Sequence, residues 1–337
     1  MPLEVEAPPR EETQLPAARG LKGAHPPLRI GLINNMPDPA LKGTELQFSG
    51  LLAAAAGPQQ VHLCFSHLPE VPRAPAAVRR LNERYWPIET LLATPLDALI
   101  VTGAEPRTPS LREEAYWDGL VRLMEWAQAH TTSTIWSCLA AHAAVLHLDG
   151  IERVPLPQKC CGVFAHALAA HSLTSGLAGS APMPQSRWND LQPASLAELG
   201  YTILARSPES GAGIFVKERD RSLFVFVQGH PEYDEQALLK EYRRDVGRFL
   251  SGERATYPTL PLHYFPDDVV SRLEAFRAEA LADPDPIRLG AFPFVEAADA
   301  LTRDWGEPGV RFYRNWLAYL VAKRGAARLR TNVSLAR

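Results

Sequence analysis

Thr131 to Leu148 reads T-T-S-T-I-W-S-C-L-A-A-H-A-A-V-L-H-L. Its first half, Thr132 to Ser137, is β-branched and aromatic and predicts a short buried strand, whereas Leu139 to Leu148 is built of strong helix formers. Cys138 falls at the corner. A strand that turns straight into a helix lifts the corner residue out of the sheet and backs it with a helix N-terminus, a placement that suits a thiolate nucleophile. A lone cysteine between strand and helix is more often a small buried apolar residue. The rest of the chain decides between the two.

Working outward, Leu28 to Asn34 predicts a first core strand, followed by Asn35-Met36-Pro37 and a helix over Leu41 to Ala56. Val61 to Ser66 and Asp97 to Thr102 are two further strands, continuous in apolar character as buried parallel strands are. Leu111 to His130 has the apolar spacing of an amphipathic helix, with Leu111, Ala115, Leu120, Leu123 and Trp126 on one face. This alternation predicts a doubly wound, mostly parallel α/β sheet with flanking helices. Ligands of such sheets bind at the carboxyl ends of the strands. Three loops are expected to meet there: Asn35-Met36-Pro37, Gly103 to Ser110, and Ser137-Cys138.

Beyond the Cys138 helix, Lys159 to His166 predicts a strand in an irregular region that extends through Ser186 to Asp190. Strands follow at Tyr201 to Ala205, Gly213 to Lys217 and Ser222 to Val227. The last of these ends in Q-G-H-P-E, so that His230 and Glu232 stand two residues apart around Pro231. Alternate residues of an extended chain point the same way. Glu232 can then orient and charge-stabilise His230, and His230 can take a proton, completing a cysteine, histidine and carboxylate triad. Asp234 to Leu250 reads as a helix with Asp234 at its N-cap, and further helices lie near Asp267 to Leu281 and Val310 to Lys323.

The chain has 337 residues and a net charge of −3, which leaves no electrostatic footprint for nucleic acid. Its four cysteines, Cys64, Cys138, Cys160 and Cys161, are too few and too irregularly spaced for a disulfide framework or a zinc site. No histidine pair has metal spacing, so no metal is expected. There is no P-loop and no G-x-G-x-x-G. The acidic, Pro-rich start lacks the form of a signal peptide, and no apolar run approaches the roughly 20 residues that span a bilayer. A cytoplasmic protein is expected, with residues 1–27 as a flexible arm or an extended packing segment, 28–323 as one domain with C-terminal helical additions, and 324–337 as a tail.

A set of collinear segments carries a family likeness. They are I-N-N-M-P at Ile33 to Pro37, D-A-L-I-V-T-G-A at Asp97 to Ala104, A-Y-W at Ala115 to Trp117, T-S-T at Thr132 to Thr134 followed by Cys138, P-L-P-Q-K-C-C-G-V-F-A-H at Pro155 to His166, G-H-P-E-Y-D at Gly229 to Asp234, E-Y-R-R-D-V at Glu241 to Val246, and N-W-L-A-Y at Asn315 to Tyr319. In this order they resemble the homoserine O-acyltransferases of the MetA type. The resemblance implies a class I glutamine amidotransferase-like (flavodoxin-like) core, a homodimer, and an early step of methionine biosynthesis. An acyl group would pass from acyl-CoA as co-substrate, with no resident cofactor, to Cys138 and then to the hydroxyl of L-homoserine. It assigns Cys138 as nucleophile, His230 as general base, Glu232 as its orienting partner, and Lys159, Ser186 and Arg244 as substrate-binding residues. Backbone N–H groups of Leu139 and Gly103 are the oxyanion-hole candidates.

Several positions depart from the family pattern. Arg107 stands where Gly or Glu usually tracks donor choice; a guanidinium suits the free carboxylate of a succinyl group, which puts succinyl-CoA ahead of acetyl-CoA. Ser186 lacks its usual preceding histidine and Trp188 follows, which leaves L-serine or another hydroxy amino acid as an alternative acceptor. Ser137, Leu139 and His142 also differ. Two readings of other classes compete: a glutamine-amidotransferase-like cysteine hydrolase, and a noncatalytic binding protein on the same scaffold.

Overall fold

The computed structural model describes residues 2–9 and 26–335. The first strand is β1 (Leu3–Glu6), and β2 (Leu28–Ile33), α1 (Leu41–Ala56), β3 (Val61–Ser66), α2 (Pro75–Arg84), α3 (Ile88–Leu92) and β4 (Ala98–Thr102) follow. The middle of the chain forms α4 (Trp117–His130), β5 (Ser133–Ser137), α5 (Leu139–Asp149), β6 (Val154–Leu168), β7 (Ser180–Asp190), α6 (Pro193–Glu198), β8 (Thr202–Ser207), β9 (Gly211–Arg219) and β10 (Ser222–Val227). The rest is helical, with α7 (Ala237–Leu250), α8 (Asp267–Ala282), α9 (Phe294–Asp299) and α10 (Gly306–Leu335).

Among the described residues these strands form a single sheet in the order β1-β3-β2-β4-β5-β10-β9-β8-β6-β7. Pairing is parallel from β1 across to β10 and antiparallel from there to β7. The parallel half is doubly wound, as expected. β5 lies in the middle of the sheet between β4 and β10, and every residue of it is buried. That is why its sequence is apolar and β-branched without alternation.

Each face of the sheet has its own core. On one side Leu41, Phe48, Leu51 and Leu52 of α1 pack with Tyr313, Trp316, Leu317 and Leu320 of α10 over the strands. On the other, Leu120, Leu123 and Met124 of α4 and the alanines of α5 cover Trp136, Phe215, Phe224 and Phe226. A third cluster gathers α7, α8 and α9 around Cys161 and Val163 of β6. Trp316 of α10 also donates its indole N–H to Ser133 Oγ at 3.0 Å, which fastens the last helix to the central strand.

Several elements differ from the sequence expectation. The helix expected from Leu111 begins at Trp117. Leu111–Glu113 is a 3₁₀ turn whose Arg112 N–H is taken by Ser110 Oγ, and Glu114 is extended. The Glu114 carboxylate turns back to the preceding loop instead of continuing the helix. The region called irregular from Lys159 to Asp190 is a long antiparallel hairpin of β6 and β7. Pro155, Pro157, Pro182 and Pro184 hide it in the sequence, since proline removes ladder donors, and the register slips between Pro155 and Cys160. α7 starts at Ala237 with Gln236 at its N-cap; Asp234 takes the Gln236 N–H at 2.9 Å in a separate turn just ahead.

At the ends, Leu3–Glu6 of the expected arm pairs in parallel with β3 at the sheet edge. Residues 10–25 of that arm lie outside the described residues. The expected tail from 324 is a continuation of α10 as far as Leu335.

Candidate active site

β5 delivers Cys138 to the carboxyl edge of the sheet. Its backbone sits at φ 51°, a region costly for any residue with a Cβ, and the next residue opens α5. The corner is pinned by Cys138 N–H donating to Val227 O at 2.7 Å, so the end of β10 and the Cys138 corner are hydrogen-bonded to each other. Cys138 is partly exposed. Burial pushes the Cys161 thiol up to about 12, and raises those of Cys64 and Cys160. Of the four, Cys138 is the one at the strand-to-helix corner.

From the end of β10 the chain reaches His230, whose N–H donates to Pro184 O of β7 at 2.8 Å. Gly229 allows this approach, because a Cβ there would lie 2.4 Å from Met183 Sδ. The expected extended link between His230 and Glu232 is a tight turn instead: Tyr233 N–H donates to His230 O at 3.1 Å, with Pro231 and Glu232 at the two central positions. Proline at the first of these fixes the turn. Glu232 still reaches its partner, with Oε1 2.8 Å from His230 Nδ1. Both are buried. Burial alone would depress the His230 pKa, but the Glu232 carboxylate and the Cys138 sulfur, both within hydrogen-bonding reach, raise it well above the usual histidine range.

The three loops expected at the carboxyl edge do meet. Asn35 N–H donates to Thr102 Oγ1 at 2.9 Å and its side-chain amide to Thr102 O at 3.2 Å, tying the first loop to the end of β4. Gly103 follows directly and lies against the head of α5, where a Cβ would fall 2.4 Å from Leu139 Cβ and 3.0 Å from Ala140 N. Gly103 and Leu139, the oxyanion candidates, are therefore neighbours beside Cys138. The same loop walls a cavity of about 470 Å³, whose lining includes Asn35, Val71, Arg107, Glu114 and Tyr116. Arg107 is exposed at its rim. Glu114, which sequence reasoning missed, shapes this wall: its Oε1 takes the N–H of Arg107 at 2.6 Å, the N–H of Thr108 at 2.8 Å and the Thr108 hydroxyl at 2.7 Å.

Lys159, Ser186 and Arg244 come from β6, β7 and α7, and the structure brings them together around two carboxylates of α7. Lys159 Nζ is 3.2 Å from Glu241 Oε2 and 3.1 Å from Asp245 Oδ2. The Ser186 hydroxyl donates to Glu241 Oε2, and Arg244 Nη2 lies 2.9 Å from Asp245 Oδ1. Burial would neutralise Glu241, but Lys159 and the hydroxyls of Ser186 and Tyr233 outweigh it and hold the carboxyl at about 2. The same carboxylates keep Lys159 charged despite its burial. Glu241 and Asp245 were not singled out from sequence, though their i, i+4 spacing on a helix puts them on one face.

His142 of α5 meets Gln228 Oε1 at 2.8 Å, bridging α5 and the segment that runs from β10 to His230. Burial and the nearby Arg187 push the His142 pKa down to about 3, so it is a neutral structural group.

The family model described as homoserine O-succinyltransferase matches residues 13–327. A homoserine O-succinyltransferase of Rhodopseudomonas palustris is 50% identical over 298 residues, covering 88% of this chain and 89% of that one. Another, from Methylorubrum extorquens, is 47% identical over 331 residues, with 96% and 97% covered. Among solved structures, a glutamine amidotransferase of Methylobacillus flagellatus superposes with a TM-score of 0.47 at 14% identity, over 87% of this chain and 94% of that one.

Proposed function

The chain belongs to the homoserine O-succinyltransferase family, and from that premise we propose that it moves a succinyl group from succinyl-CoA, through a thioester on Cys138, to the hydroxyl of L-homoserine in methionine biosynthesis. The observation that carries the mechanism is the buried His230 and Glu232 pair, 2.8 Å apart, set against the strained corner of Cys138.

In the first half-reaction the Cys138 thiolate adds to the donor thioester carbonyl. The tetrahedral oxyanion is received by the N–H groups of Leu139 and Gly103. Collapse breaks the bond to the CoA sulfur, and protonated His230 gives that sulfur its proton. One thioester replaces another, so the step is close to balanced. In the second half-reaction His230, now neutral, removes the proton of the acceptor hydroxyl as its oxygen attacks the acyl carbon. Collapse expels the Cys138 sulfur, which leaves as thiolate beside an imidazolium stabilised by Glu232. The product is an oxygen ester, and the enzyme returns to its starting charge state.

The acceptor is an amino acid carrying both charges. Lys159, Ser186, Glu241, Arg244 and Asp245 offer both signs in one place, with Lys159 and Arg244 suited to its carboxylate. Arg107, at the rim of the cavity next to the nucleophile loop, is proposed to read the free carboxylate of the succinyl donor. Both substrates are small molecules, and the working assembly is taken to be a cytosolic homodimer.

The test is CoA release by the purified enzyme, followed with a thiol reagent. Succinyl-CoA or acetyl-CoA is paired with homoserine or serine, and Cys138→Ser is the control. Homoserine-dependent release that prefers succinyl-CoA and vanishes in the variant is expected. Release with serine alone would move the acceptor, and glutamine hydrolysis without CoA chemistry would replace the reading with the hydrolase.

A further inference from the structure

Tyr233 connects two parts of the site that the sequence presents as separate. It is the last residue of the turn that holds His230, it is buried, and its ring lies over the imidazole with centroids 4.2 Å apart and planes 17° from parallel. Its hydroxyl donates to Glu241 Oε1 at 2.5 Å. The other oxygen of Glu241 receives Lys159 Nζ at 3.2 Å and the Ser186 hydroxyl. One rigid phenol thus has the general base against its face and the acceptor cluster at its tip.

We propose that Tyr233 is a positioning residue that couples the acceptor pocket to the base: its ring fixes the plane and favours the charge of the His230 imidazole, and its hydroxyl ties that ring to Glu241. The acceptor arm of this proposal rests on the acyltransfer reading; the ring arm is a property of the free enzyme.

Two physical arguments support it. An imidazolium over an electron-rich ring face is attracted by the ring quadrupole, most strongly where water is excluded, and a stacked neighbour blocks rotation of the imidazole about its own axis. The link to Glu241 also survives changes of pH. Burial, with Glu241, Glu232 and Cys138 around it, holds the Tyr233 hydroxyl well above its ordinary range, so it remains a donor. Glu241, held at about 2, remains an acceptor. The groups that face His230 are Glu232 and Tyr233 of its own turn and Cys138 at the head of α5. Tyr313 of α10 lies near Glu232 and is kept neutral by burial. None of these supplies a second ring face.

Tyr233→Phe removes the hydroxyl and keeps the ring, whereas Tyr233→Leu removes both. Two readouts separate the arms. The first is the pH dependence of Cys138 alkylation by iodoacetamide without substrates. Phe should retain the wild-type curve, while Leu should shift its midpoint to higher pH by roughly half to one unit, as the imidazolium partner is weakened. The second is acceptor kinetics, where Phe should lower kcat/KM for homoserine about tenfold or more through KM, as expected for loss of a hydrogen bond to a charged group. Melting curves check that each variant is folded, and Tyr233→Met replaces Leu if Leu is not. A Leu or Met curve superimposed on the wild type would overturn the role of the ring, and an unchanged KM in Phe would overturn the coupling. If the wild type turns over no acceptor, the acyltransfer reading fails instead, and the alkylation curves alone decide what the ring does.

Discussion

At Cys138 a residue with a Cβ occupies φ 51°, and the strain is held by the 2.7 Å bond to Val227 O and by the start of α5. Storing strain there presents the sulfur to a histidine that burial alone would leave neutral. Glu232 counters that burial. Glu232→Gln keeps its shape and removes its charge, so kcat should fall about 10²-fold, and the alkaline limb of the kcat/KM profile should move to lower pH as His230 gives up its proton more easily. A steady-state pH series checks both. Arg107→Glu should lower the preference for succinyl-CoA over acetyl-CoA at least ~10-fold by setting like charges against each other, measured as the ratio of kcat/KM for the two donors. The residues proposed as a triad were legible as candidates because each follows a strongly apolar strand. Tyr233, Glu114 and Glu241 were not: each works through a contact made only by folding, as when Glu114 reaches back to two backbone N–H groups of its own loop.

Among the elements, β5 and α5 were readable almost to the residue, since β-branched and aromatic residues give way to alanine and leucine at one point. The β6 and β7 hairpin was not, because its prolines silence the usual strand pattern while its pairing comes from sheet context. Nor was the break before α4, where one buried carboxylate outbids helix propensity for the backbone. The element contact that matters most for chemistry is that of the β4 loop on the head of α5. Gly103→Ala would place a Cβ 2.4 Å from Leu139 Cβ, so loop and helix must part. The expected outcome is about 1–3 kcal/mol lost in denaturant unfolding and a larger loss in activity, about 10²-fold, because a small displacement of the proposed oxyanion donors would be felt in the transition state.

For the whole molecule, the parallel half of the sheet carries Cys138 and the antiparallel half Lys159 and Ser186, with β10 at the junction leading to His230. That β2 to β5 and β10 are strands was legible because each is a mostly apolar or β-branched run, whereas β1 is Leu-Glu-Val-Glu and was not. The position of the C-terminal helices was not, as amphipathic helices do not state which sheet face they cover. Two buried histidines make stability depend on pH. The unfolded chain takes up a proton at each near 6.5, whereas folded His142 and His166 do so only near about 3 and about 4, chiefly because of burial. Over that window the unfolded state holds more protons, so stability falls as pH drops from ~6.5 towards ~4. His230 works in the opposite sense, contributing stability below ~6.5 that is lost as pH rises through its elevated folded pKa. Urea unfolding across the acid window should show the fall, and His142→Gln should flatten it. The central claim, that Cys138 carries the acyl group on its way to homoserine, is met most directly by intact-mass analysis after mixing enzyme with succinyl-CoA alone. A mass gain of one succinyl group located on Cys138, discharged on adding homoserine with formation of its O-succinyl ester, is the predicted result. No adduct, or an adduct that only water removes, would contradict it.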